Sequence, residues 1–100
     1  MSYYVYLLRC CDDSLYTGWT RDIAARVKTH NAGTGAKYTR ARLPVVLVYH
    51  EELADRRQAL QREYALRNLK RSEKLALVST YQKSLQQDEI ASPMPTKEIS

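Results

Sequence analysis

One hundred residues make one domain's worth of chain, with sixteen Lys and Arg set against eleven Asp and Glu for a net charge of +5. Hydrophobic residues at 44% and charged residues at 27% place the chain inside the globular range and exclude a disordered polyelectrolyte. The longest apolar run, residues 45–48 with Tyr49 after it, is far short of the ~20 residues a membrane span needs, and the first ten residues alternate and include Arg9, unlike a secretion signal. A small soluble domain is expected.

Residues 3–10 read as a strand in which Tyr4, Tyr6 and Leu8 fall on one face and Tyr3, Val5 and Leu7 on the other. Apolar character on both faces predicts a covered strand in the middle of a sheet. Asp12-Asp13-Ser14 is turn chemistry, and residues 15–20 form a second strand, completing a β-hairpin. Gly18 inside that strand marks a bulge or a close backbone approach. Thr20 or Asp22 can cap a helix over residues 23–31, with Ile23 and Val27 as its buried stripe and Arg26 and His30 as an i, i+4 pair on a neighbouring face.

Residues 33–44 predict a basic loop with too few apolar residues to be core, and residues 45–49 a third strand. A helix follows over about 54–70, with Leu60 and Tyr64 on its apolar stripe. Ser72 can cap a last helix to about residue 85, where Leu77, Tyr81 and Leu85 recur at i, i+4 and i+8. The order β-β-α-β-α-α predicts an α+β fold, a small three-stranded antiparallel sheet flanked by helices. Residues 1–87 make the domain, and 88–100, with two prolines and little apolar content, a disordered tail.

The eight Tyr, one Trp and absent Phe are an unusual choice, because each buried Tyr hydroxyl must find a partner. Cys10 and Cys11 are adjacent, with Cα atoms ~3.8 Å apart against the ~4.4–6.8 Å of ordinary disulfides. No His or second Cys pair stands at zinc spacing. Both are expected to be reduced thiols packed in the core of a cytoplasmic protein.

The charge is uneven. Residues 88–100 carry −2, leaving +7 on residues 1–87, and the segment 21–42 alone carries +5 through Arg21, Arg26, Lys28, Lys37, Arg40 and Arg42 against Asp22. Such a patch faces a polyanion or is simply solvated. Tyr6 and Tyr16 lie on the paired hairpin strands, Arg26 and His30 on the first helix and Glu63 on the second; the frame alone does not make them meet, and Glu63 can simply pair Arg67 at i, i+4 for ~0.3–0.5 kcal/mol.

Tyr4-Val5-Tyr6 and Tyr16-Thr17-Gly18, ten residues apart on the hairpin, resemble the two halves of the GIY-YIG nuclease signature. Arg26 and His30 stand in the family's R-x-x-x-H spacing, Glu63 stands where the family places its metal-ligand glutamate, and the loop Gly35-Ala36-Lys37-Tyr38-Thr39-Arg40 is similar to that of small stand-alone bacterial members. The resemblance covers residues 3–80. Tyr4, Val5 and Thr17 depart from the signature at packing positions. Many members also carry an asparagine some way after the glutamate; Asn68 lies too close to Glu63 for that place, and Leu75 stands nearer to it.

The resemblance implies a metal-dependent DNA nuclease of the repair or recombination type, recognising structure or backbone and not sequence. Glu63 would be the sole protein ligand of one Mg²⁺ or Mn²⁺ ion, and Arg26 would hold the scissile phosphate through two oxygens at once. Tyr6 is the preferred base, with His30 or Tyr16 relaying the proton or orienting the water. Lys37, Thr39, Arg40 and Arg42 would bind the nucleic acid. The implied partner is DNA, with no membrane and no small-molecule cofactor. The alternative from a different class is a non-catalytic nucleic-acid-binding module on the same fold.

Overall fold

The computed structural model describes residues 2–91, with side chains through residue 83. Strand β1 (Tyr3–Arg9) lies between β2 (Leu15–Thr20) and β3 (Val46–Leu53) in a three-stranded sheet of order β2-β1-β3, antiparallel throughout. The two-faced apolar pattern of β1 reflects this central place: Val5, Tyr6, Leu7 and Leu8 are all buried. Asp12 builds the β1–β2 turn by accepting from Ser14 N and Ser14 Oγ, and Asp13 takes the left-handed conformation there at φ 70°.

Helix α1 (Ile23–Asn31) covers the sheet face that carries Tyr6 and Leu8, whose core also holds Cys10, Val45 and Val27. Of the two candidate caps Asp22 closes its first turn, accepting from Ala25 N at 3.1 Å. Its last residue, Asn31, bonds both backbone groups of Val45 and so ties the helix to the start of β3. The expected stripe of Ile23 and Val27 is only half-buried; the one fully buried side chain of α1 is His30.

The opposite face is covered by α3 (Arg56–Arg67) and α4 (Arg71–Ala91), with Val5, Ala59 and Leu66 in one cluster and Leu7, Val48 and Val78 in another. Leu60 and Tyr64, expected on the buried stripe of α3, are 40% and 73% exposed. Small Ala59 lets the helix approach Val5, and the Arg62 fork on Glu51 of β3 (2.7 and 2.8 Å) fixes the roll of α3 the other way. Asp55 caps α3, and Glu73 reaches back to Lys70 N at the head of α4, so Ser72 lies inside that helix and caps nothing.

Three further expectations are corrected. The loop after α1 contains a single helical turn, α2 (Lys37–Arg40), and buries Thr39. The third strand continues to Leu53, because Glu51 and Glu52 keep the ladder with Val5 and Tyr4. Both cysteines are free thiols, but only Cys10 is core and Cys11 is exposed. Helix α4 runs to Ala91, across the boundary expected at residue 87, and residues 92–100 of the expected tail lie outside the described residues. Among the described residues no helix is long and apolar enough to cross a membrane.

Candidate active site

The sheet register decides which tyrosines meet. Tyr6 lies opposite Gly18 and Tyr16 opposite Leu8, so both phenols leave the same face as diagonal neighbours, with ring centroids 6.4 Å apart. Gly18 supplies the space. A Cβ there would stand 2.5 Å from Tyr6 Oη and 2.7 Å from Cζ, closer than real Cβ atoms come. The small residue thus answers the choice between bulge and close approach in favour of the latter.

His30 enters from α1 and is fully buried against these rings. Its Nε2 is 3.0 Å from Tyr6 Oη, and its Nδ1 is 2.8 Å from Thr39 Oγ1, which in turn donates to the Ala36 carbonyl at 2.9 Å. Gly35 makes this closure possible: a Cβ on it would meet His30 Nδ1 at 2.5 Å and His30 Cα at 2.9 Å. Tyr16 sits edge-on to His30 at 5.4 Å and stacks on Tyr38 at 6.0 Å, and the Arg42 guanidinium covers Tyr38 at 3.9 Å.

The electrostatics converge on Tyr6. Burial pushes its hydroxyl above the usual 10.0, and the guanidinium of Arg26 beside the phenol opposes that rise, while Tyr16 and Glu63 add to it. Burial also lowers the His30 imidazole below its usual 6.5, and the positive charge of Arg26 lowers it further. Tyr6, Tyr16 and His30 meet ring against ring, while Arg26 from α1 and Glu63 from α3 bear on Tyr6 through their charges. Glu63, its side chain 16% exposed, receives a hydrogen bond from Arg67 on Oε2 at 2.8 Å; Oε1 has no hydrogen-bond partner among the described residues.

Two of the four residues expected to meet nucleic acid do something else as well, or instead. Thr39 is fully buried with its hydroxyl committed to His30 and Ala36, so a direct phosphate contact from it is ruled out by geometry. Arg42 is held by Asp12 through Nε (3.1 Å) and by the Tyr38 carbonyl through Nη1 (2.9 Å), fastening the loop to the β1–β2 turn. Lys37 and Arg40 are exposed and enter no ion pair among the described residues. Asn68 caps α3 by donating to the Tyr64 carbonyl at 2.7 Å, and Leu75 is exposed on α4. Gly35 and Tyr38 were not singled out for the site from the sequence, and only the small residues before Lys37-Tyr38-Thr39 hint that the loop must close tightly.

Among the described residues no three His, Cys, Asp or Glu side chains converge as a metal cluster. A single half-buried carboxylate with one oxygen uncommitted still suits a hard, hydrated cation such as Mg²⁺, which keeps several waters and takes one or two carboxylates. The donor set fits such an ion, and does not resemble a thiolate or imidazole site.

A family model described as the GIY-YIG catalytic domain matches residues 2–76, a span that includes every residue converging on Tyr6. The chain belongs to the GIY-YIG family. GIY-YIG domains form a nuclease superfamily, which makes nucleic acid the substrate class of this domain. This GIY-YIG chain is 54% identical over 77 residues to a UPF0213 protein of Clostridium perfringens, covering 77% of this chain and 83% of that one. It is 50% identical over 76 residues to a UPF0213 protein of Staphylococcus haemolyticus, covering 76% and 93%. The solution NMR structure of a UPF0213 protein from Bacillus halodurans superposes with a TM-score of 0.52 at 45% identity, over 80% of this chain and 85% of that one. A protein of E. faecalis, also solved by NMR, gives 0.53 at 37% identity, over 87% and 88%.

Proposed function

We propose that the protein is a divalent-metal-dependent DNA nuclease that hydrolyses phosphodiester bonds and reads backbone or structure, a mode suited to repair or recombination. The observation that carries this reading is the buried bond between Tyr6 Oη and His30 Nε2, with Arg26 and Glu63 both acting on the same phenol.

Glu63 would hold the Mg²⁺ or Mn²⁺ ion, which when bound supplies Lewis-acid charge at the leaving oxygen. Arg26 holds the scissile phosphate; its planar fork matches two phosphate oxygens and offsets the charge that builds at phosphorus. A water oxygen forms the new P–O bond as the ester P–O bond on the opposite side breaks, and the leaving oxygen takes a proton from solvent. One proton of the attacking water passes to Tyr6 Oη while the proton of Tyr6 passes to His30 Nε2; after the product leaves, the buried imidazolium gives its proton back to Tyr6 Oη, which passes one on to the water that refills the site. Tyr16 packs edge-on against the imidazole and holds its plane.

The relay must be concerted with attack. Burial holds the Tyr6 hydroxyl above its usual value and the His30 imidazole below its own, so both shifts disfavour a free phenolate–imidazolium pair formed before the water moves. Lys37 and Arg40 grip flanking phosphates, and each phosphate they neutralise steepens the salt dependence of log K by ~0.9 on duplex DNA. No element of the described chain has the form of a sequence-reading module.

The test is incubation of the purified protein with branched, nicked and single-stranded DNA in Mg²⁺, Mn²⁺ or EDTA, beside Glu63→Ala. Metal-dependent cutting that disappears in Glu63→Ala is the expected result. Binding without cutting on every substrate and with either metal would replace this reading by a non-catalytic nucleic-acid-binding module.

A further inference from the structure

We infer that Thr39 is a positioning residue that fixes His30 as its Nδ1–H tautomer and so reserves Nε2 to accept the Tyr6 hydroxyl proton. The inference rests on the relay proposed above for its catalytic meaning, but the tautomer itself follows from counting hydrogens in a closed space. Three hydrogens need acceptors there: the Thr39 O–H, the Tyr6 O–H and the single N–H of a neutral imidazole. Thr39 donates to the Ala36 carbonyl at 2.9 Å, so toward His30 Nδ1 at 2.8 Å its oxygen is left to accept. Nδ1 therefore carries the ring proton, Nε2 presents its lone pair, and Tyr6 Oη, 3.0 Å away, donates to it.

The opposite tautomer fails the same count. With the proton on Nε2, the ring would donate to Tyr6 Oη, and the Tyr6 hydrogen would find no other acceptor among the described residues. Tyr6 is 1% exposed and His30 and Thr39 are wholly buried, so the one water within reach of that hydrogen is the water that attacks, and a Tyr6 hydroxyl that donates to this water is not set to take its proton. A histidine free in solution prefers the Nε2–H form, so the protein has to impose the other, and Thr39 is the group that contacts the nitrogen concerned.

Thr39 also sits between Lys37 and Arg40 in the one-turn helix α2, and Gly35 lets this turn close on His30. The segment offered to the DNA backbone is thus the segment that sets the proton acceptor. A turn held open would leave His30 without its partner on Nδ1, and the relay would lose its direction. This assigns Thr39, a residue that geometry removes from direct phosphate contact, a definite part in the reaction.

The test is two-bond ¹H–¹⁵N NMR of uniformly ¹⁵N-labelled protein at about pH 8, where the imidazole is neutral, in the wild type, Thr39→Val and Thr39→Ser. The wild type and Thr39→Ser are expected to show His30 protonated on Nδ1. Thr39→Val, which keeps the shape and loses the hydroxyl, is expected to move the proton onto Nε2 in a measurable fraction, with cleavage down about 10- to 100-fold and restored in Thr39→Ser. A wild-type spectrum with the proton on Nε2 overturns the inference without any variant. So does Thr39→Val with an unchanged tautomer or an unchanged rate. Wild-type and Thr39→Ser spectra decide the matter even if Thr39→Val does not fold, and a chain that cuts no DNA but shows the Nδ1–H form disproves the nuclease reading while leaving the tautomer standing.

Discussion

Gly18 and Tyr6 face each other across the β1–β2 ladder, and the phenol lies over the glycine where any side chain would stand. Gly18→Ala would push a methyl group to 2.5 Å from Tyr6 Oη, so either the strand shifts or the phenol leaves His30. The expected cost is about 1–3 kcal/mol of stability. Cleavage should fall by more than the loss of folded protein accounts for, which urea titration beside a DNA-cutting assay separates.

Tyr6→Phe removes the donor to a buried ring nitrogen and leaves His30 Nε2 unsatisfied. We expect a loss of about 1–3 kcal/mol in unfolding free energy with the native circular dichroism spectrum retained. The rate of cleavage should drop about a hundredfold or more, the usual contribution of a positioned proton acceptor. A variant that cuts at the wild-type rate would remove the phenol from the reaction.

Arg67 competes for the carboxylate of Glu63 from a side chain that is itself 60% exposed. Arg67→Ala should alter stability by less than about 1 kcal/mol, as for other solvent-exposed pairs. It should also lower the Mn²⁺ concentration for half-saturation, by no more than about fivefold, the ~1 kcal/mol that one charge exerts at 4 Å in water. Electron paramagnetic resonance of free Mn²⁺ reads this directly, and unaltered or weaker binding contradicts it.

Thr17 carries the one buried side-chain polar atom without a hydrogen-bond partner among the described residues. It stands at the position where the family signature has isoleucine, opposite Leu7 in the ladder. Thr17→Val keeps the branched shape and removes the unpaired hydroxyl, and should raise unfolding free energy by about 1 kcal/mol or more. The denaturation midpoint should rise at unchanged slope.

Stability should hold a plateau at neutral pH and decline at both ends through Tyr49, Glu51 and Arg62. The Arg62 fork keeps the Glu51 carboxyl below its usual 4.5, so the pair stabilises the fold above that value and is lost as pH falls through the lower folded value. Burial, with Glu51 beside it, pushes the Tyr49 hydroxyl up to about 12, so its contribution is complete below 10 and is lost as pH rises from 10 towards 12. Glu51→Gln should lower the plateau and make the acid limb of urea midpoint against pH shallower.

Elements with strong local signals were legible in the sequence, and partners chosen across the fold were not. The hairpin, its turn and the central place of β1 follow from alternation and two-faced burial, which are properties of the segment itself. The roll of α3 is not such a property: Leu60 and Tyr64 make the better apolar stripe, yet the Glu51–Arg62 fork and small Ala59 turn that stripe outward. Tyr6, Tyr16, Arg26, His30 and Glu63 were found through the resemblance of ordered motifs, because spacing alone cannot say that residues 24 or 57 positions apart meet. Thr39 was misread for a physical reason: a polar residue amid Lys37, Arg40 and Arg42 looks solvated, and nothing local reports that its hydroxyl is the partner of a buried imidazole.

The central strand has a consequence for the newly made chain. Tyr6 leaves the ribosome before the turn bearing Thr39 and the helix bearing Glu63, and β3 must dock beside β1 before the sheet is closed. A partly synthesised, strongly basic fragment therefore exists before the hydrogen bonds that join Tyr6, His30 and Thr39 can close, and the complete site arrives only with the finished domain.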